Sequence, residues 1–171
     1  MTLPGIARIL VATDFSETSE LALDYARAMA QRFGASIHLL HVLDELPALS
    51  TLGSELFATE MTALCATRHE RTRQRLQRLL TVEEGARFCA TGEVRTGRAA
   101  ETIHDVAIER RVDLIVMGTH GRSGVAHLLL GSVAEKVVRI APCAVLTVRP
   151  DIAGSATARG AALSHQRTTI G

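Results

Sequence analysis

The sequence predicts a single α/β domain built on an open, five-stranded parallel sheet with helices on both faces. Three observations carry this. Five short apolar runs alternate with stretches of helical periodicity. The second of them, Ile37 to Leu43, is nearly continuous in apolar residues rather than alternating, as strands are when both faces of a parallel sheet are covered. A glycine-punctuated loop, Gly118 to Val133, joins the fourth run to a helix.

The first strand is Ile6 to Thr13, rich in branched residues and ending at Asp14. Ser16 caps the helix that follows, and Leu21, Ala22, Tyr25, Ala26, Met29 and Phe33 recur at three- and four-residue spacing until Gly34 stops it. Ile37 to Leu43 is the second strand. Asp44 to Gly53 is loop, and Ser54 to Leu80 is helical. Ala86 to Val94 reads as a third strand near an edge, because Gly92 interrupts it, and Arg95 to Gly97 turns the chain. Ala99 to Arg110 is a helix burying Ala100, Ile103, Val106 and Ala107. Leu114 to Met117 is the fourth strand, Ala134 to Ile140 a helix, and Cys143 to Val148 the fifth strand after the break at Ala141-Pro142. The domain occupies residues 1–149. Residues 150–171, rich in Gly, Ala, Ser and Thr without apolar period, read as a disordered tail.

Composition removes several function classes. A net charge of +1 gives no reason to expect nucleic acid or membrane as the main partner. The scarcity of aromatics, with Tyr25 the sole tyrosine and no tryptophan, removes base-stacking platforms. Cys65, Cys89 and Cys143 are too far apart for a zinc or disulfide framework. No signal-like or membrane-length apolar segment is evident, so a cytoplasmic protein is expected. His38 and His41 lie three apart on a strand and face opposite sides. Arg68, Arg71, Arg73, Arg75 and Arg78, with Glu70 among them, read as a solvated face with local ion pairs rather than an acidic-partner surface, since they do not share one helical face.

The glycine loop carries the chemistry. Glycines allow backbone N–H groups to approach an anion, and a helix start offers unpaired donors with partial positive charge. Walker A and GxGxxG patterns are absent; the spacing is Gly118-x-x-Gly121, nine residues, then Gly131-Ser132. Gly118, Gly121 and Gly131 would admit phosphates closely, and the N–H groups of Ser132 and Val133 with the Ser132 hydroxyl would meet one. The rival reading, a plain helix cap at Gly131-Ser132, is outweighed by the upstream glycines. His120 and Arg122 could neutralise phosphate charge or stand solvated. Ligands in open parallel sheets bind past the strand ends where winding reverses, so if strands one and four are neighbours Asp14 faces the same crevice. Asp14 would accept from a ribose hydroxyl or help place Mg²⁺; its alternative is a helix-start carboxylate favoured by the dipole.

Gly118, Gly121, Gly131 and Ser132, with Leu10 to Ser16, Leu39 to Val42, Asp113 to Arg122 and Pro142-Cys143, give a sequence that resembles the universal stress protein (UspA-like) family in its ATP-binding branch. The likeness runs from about Arg8 to Arg149. Ala12 and Ala144 depart from it, where many members carry proline. The resemblance implies a Rossmann-like fold of the adenine nucleotide alpha hydrolase type with strand order 3-2-1-4-5. It also implies ATP or another adenine nucleotide as ligand, and a homodimer pairing through the last strand, Cys143 to Val148. By similarity, Val42 would meet the adenine edge through its backbone, Ala12 and Thr13 would line the crevice, and Met117 would pack beneath base or ribose.

The function expected is that of a nucleotide-dependent stress-response regulator or sensor with an unidentified protein partner and little or slow turnover. A slow ATPase or nucleotidyl transferase is the alternative, with Asp14 its one candidate carboxylate. A receiver or flavodoxin-like module is disfavoured, since no phosphorylatable Asp follows strand three and no glycine follows strand one.

Overall fold

The computed structural model describes residues 5–44, 55–119 and 131–149, with side chains from 60 onward in the second of these segments. The elements in chain order are β1 (Arg8–Ala12), α1 (Glu17–Phe33), β2 (Ser36–Leu43), α2 (Glu55–Arg78), α3 (Val82–Phe88), β3 (Thr91–Thr96), α4 (Ala99–Glu109), β4 (Leu114–Gly118), α5 (Ser132–Ile140) and β5 (Ala144–Val148). The five strands form one parallel sheet of order β3-β2-β1-β4-β5, as the family resemblance implied. Winding therefore runs outward from β1 in one direction and from β4 in the other.

Alternation along the buried strands divides the core in two. Ile9, Val11, Ile37 and Leu39 face one side, where Ala22, Leu23 and Ala26 of α1 and Leu76 of α2 cover them. Leu10, Leu40, Ile115 and Met117 face the other, covered by Ala100, Ile103 and Val106 of α4 and by Ala134 and Val137 of α5. At about 25 cal/mol per Å² of apolar surface, such aliphatic burial supplies the main driving force in place of aromatics. The central pair is fixed from below by Asp113, whose Oδ2 accepts from the N–H groups of Ala7 and Arg8, each at 2.9 Å. No helix among the described residues is long and apolar enough to cross a membrane.

Two expectations needed correction. The stretch Ala86 to Val94 is not one strand. Thr81 accepts from the Glu84 N–H while Glu84 accepts from the Thr81 N–H, a capping box that starts α3 and carries helix through Phe88. Cys89 then takes a left-handed conformation (φ 46°), and β3 begins at Thr91. Apolar Ala86, Phe88 and Ala90 had masked the cap. The expected edge position holds, and Gly92 there lies under Leu76, which a Cβ would meet at 3.2 Å. The arginines of α2 also sort differently. Arg73 pairs with Glu70 in solvent, but Arg68, Arg71 and Arg75 line one cavity together, as spacings of three and four on a helix allow. The tail beyond 149 lies outside the described residues.

His38 and His41 do part to opposite faces. His38 joins β2 to β3: its Nδ1 lies 2.8 Å from Thr91 Oγ1 and its Nε2 3.4 Å from Glu93, which also accepts from Arg110 at 2.6 Å. Burial lowers the His38 pKa, Arg110's charge adds to this, and Glu93 opposes it. A histidine kept neutral by the fold stabilises it above the unfolded pKa of 6.5, and that contribution is lost as pH falls. Stability should therefore fall as pH drops through 6.5 and below, and His38→Gln should flatten that slope. Denaturant unfolding of both proteins across this range measures the difference; identical slopes would contradict it.

Candidate functional site

β1 ends at Ala12, paired with Leu40 of β2, and the chain then turns sharply. The Thr13 N–H still donates to the Leu40 carbonyl at 2.9 Å. After that, Thr13 Oγ1 accepts from the Phe15 N–H at 3.0 Å, and Asp14 Oδ1 accepts from the Ser16 N–H at 3.1 Å and the Ser16 hydroxyl at 2.6 Å. Ser16 in turn caps α1 by accepting from the Ser19 N–H. These bonds hold Phe15 at φ 63°, a left-handed conformation that costs a non-glycine residue about 1–2 kcal/mol.

This turn leaves β2 running past the end of β1. In a parallel ladder alternate residues direct both N–H and C=O to the same neighbour. Leu40 points its carbonyl at β1, whereas Leu43 accepts from Gly97 on the β3 side. Val42 therefore presents its amide edge to the β1 side, where β1 has already turned away. On the other flank, β4 ends at Gly118, and the Thr119 N–H donates to Val148 of β5 at 2.8 Å. The Thr119 carbonyl accepts from the Gly131 N–H at 2.7 Å, which brings the start of α5 back beside β4. Gly131 is the α5 N-cap and has no side chain to satisfy the first-turn donors.

Between these ends lies a cavity of about 310 Å³. Ala12, Thr13, Asp14, Val42, Met117, Gly118, Gly131, Ser132 and Val133 all line it, so the structure brings together every sequence-predicted site residue that it describes. His120, Gly121 and Arg122 lie outside the described residues. Sequence reasoning missed Asp44, Ser19, Thr119 and, on the α4 side, Ala99 and Ile103. Asp44 had a signal, since it follows strand two as Asp14 follows strand one. Ala99 and Ile103 had none, because their place comes from the packing of α4 on the sheet. The described lining contains two carboxylates, Asp14 and Asp44, and no lysine or arginine. Among the described residues no group of three or more metal-ligating side chains could hold an ion.

Two residues have structural duties beside any ligand. Asp14 braces the cap of α1, the role its alternative reading gave it. Gly118 admits α1: a Cβ there would lie 2.8 Å from Thr18 Cγ2 and 3.2 Å from the Thr18 backbone carbon.

The universal stress protein family model matches residues 5–149. A universal stress protein of Thermus aquaticus is 38% identical over 147 residues, covering 82% of this chain and 97% of its own. The solved structure of MJ0577, a universal stress protein of Methanocaldococcus jannaschii, has a TM-score of 0.72 at 32% identity and covers 85% of this chain and 97% of its own. A universal stress protein solved in complex with cAMP shares the fold at 24% identity and a TM-score of 0.54, over 85% and 98% of the two chains.

Gly118→Ala should lower stability by about 1–3 kcal/mol through overpacking against α1. Adding Thr18→Ser, which removes the nearest atom, should restore part of it. Thermal unfolding of the single and double variants decides this; a wild-type melting temperature for Gly118→Ala would contradict the packing account.

Proposed function

This chain belongs to the universal stress protein family, and from that premise we propose that its crevice binds ATP or a related adenine nucleotide, whose occupancy regulates a stress response. One observation carries the reading. The uncapped start of α5 and the unpaired edge of β2 at Val42 face one cavity, with Asp14 between them. The two ends suit the two ends of a nucleotide. Donors at Ser132 and Val133 suit phosphate, an amide edge at Val42 suits adenine, and the carboxylate of Asp14 suits a ribose hydroxyl. His120, Gly121 and Arg122 complete the phosphate side in this reading, with Mg²⁺ arriving on the nucleotide beside Asp14. The cAMP complex of a family member lends the fold alone at its identity, so the choice of ATP rests on this chain's glycine spacing and crevice.

Binding rather than turnover fits the crevice better. Phosphoryl transfer needs a positioned water and preorganised positive charge. The described lining supplies no cationic side chain, and an oxygen of Asp14 already serves the α1 cap. The edge strand β5, with side chains mostly half-buried, is the surface through which a second copy would pair in a homodimer. In this reading the protein acts in the cytoplasm, and nucleotide occupancy is read by a protein partner.

Calorimetric titration should show saturable ATP binding at one site per chain. Ser132→Ala should weaken it roughly 3- to 10-fold by removing one hydrogen-bonding group. Val42→Ala should leave it near wild type, since only the backbone of Val42 is used. Absence of binding at millimolar ATP would overturn the proposal, and multiple-turnover phosphate release lost in Asp14→Asn would favour an ATPase.

A further inference from the structure

A second cavity, about 370 Å³, opens on the α2 side of the same turn. Asp14, Val42 and Asp44 line both cavities, so the two adjoin across the end of β2. The wall of the second is Arg68, Arg71 and Arg75 of α2. Its floor is Phe15, whose ring lies 4.5 Å from that of His41 and 4.2 Å beneath the Arg75 guanidinium, centroid to centre. The Phe15 backbone there is left-handed, at φ 63°.

The arginines are not spent on neighbouring acids. Among the described residues none of the three is in an ion pair. Arg68 donates to the backbone carbonyl of Asp44 at 3.2 Å, and Arg75 stacks on Phe15. Both contacts orient a guanidinium without neutralising it. Arg73, outside the cavity, is paired with Glu70. The two carboxylates on the rim are outnumbered by the three guanidiniums, and Asp14 is turned toward Ser16.

We propose that the Arg68–Arg71–Arg75 cavity is a second anion site, built for a phosphate-class dianion and contiguous with the crevice. Guanidinium forks match phosphate oxygens in pairs, and three of them converging on a small polar cavity exceed what a single carboxylate needs. The site stands whether or not the crevice holds a nucleotide. Its position beside Asp14 also suits a phosphate carried on the ribose edge of a nucleotide, so the anion arrives either free or attached to the crevice ligand.

Calorimetry with inorganic pyrophosphate on the full chain tests the site. Wild type should bind it saturably, and Arg68→Gln/Arg71→Gln should lose about tenfold or more in affinity. Arg71→Gln alone, at an exposed position without a described ion pair, should weaken binding in the same direction and serves if the double variant misfolds. No binding by wild type, or unchanged binding by the arginine variants, overturns the proposal. ATP affinity of the same variants, expected near wild type, reports separately on the crevice. Adenosine 3′,5′-bisphosphate assigns the source. If it binds wild type more tightly than adenosine 5′-monophosphate and the variants do not show this preference, the anion arrives on the nucleotide. If wild type does not distinguish the two but binds pyrophosphate through the arginines, the anion arrives free.

Discussion

The early end of β1 is the constraint on which the rest of the structure depends. Four residues, Thr13 to Ser16, stop the strand, cap α1 and hold Phe15 in a conformation that non-glycine residues avoid. Because β1 stops at Ala12 while β2 continues to Leu43, the sheet has a notch at its middle. The notch falls between β1 and β4, where winding reverses and the helices on the two faces diverge. An open parallel sheet offers its ligand space there for that geometric reason. Here the space is furnished by amide groups and two carboxylates, with the start of α5 as one wall.

The same turn serves two cavities on its two sides. Asp14 points its bracing oxygen at Ser16 and lines both, and Phe15 floors the second. A ligand that shifted Asp14 would disturb the cap of α1 and the packing of Phe15 under Arg75 together. Coupling between the cavities would thus need no long path, only the rigidity of four residues tied by local hydrogen bonds. Gly118 adds a further tie, since α1 sits so close to the end of β4 that no side chain fits between them.

Much of this was legible in the sequence, and the misses have physical causes. The near-continuous apolar runs at Leu10 and Ile115 marked central strands, and Gly34 ended α1 as expected, in a left-handed conformation with its N–H on Ala30. Asp14 and Gly118 were placed together because sheet topology decides which strand ends meet. The segment after Leu80 misled, because a capping box at Thr81 and Glu84 outweighed an apolar pattern that also suits a strand. The five arginines of α2 read together as a solvated face because, taken as a set, they do not share one side of the helix. The spacing of Arg68, Arg71 and Arg75 puts them on one side of the helix, but the Phe15 ring under Arg75 and the Asp44 carbonyl on Arg68 come from other elements, which the run itself does not reveal.

The binding mode proposed for the crevice is one nucleotide that spans the notch from Val42 to the start of α5. Adding ATP to isotope-labelled protein and following backbone amide resonances tests it most directly. Saturable shifts are expected at Thr13, Val42, Ser132 and Val133 together, with those of β3 and the far end of α4 unmoved. Shifts confined to the α5 end, or none at Val42 at saturating ATP, would contradict it.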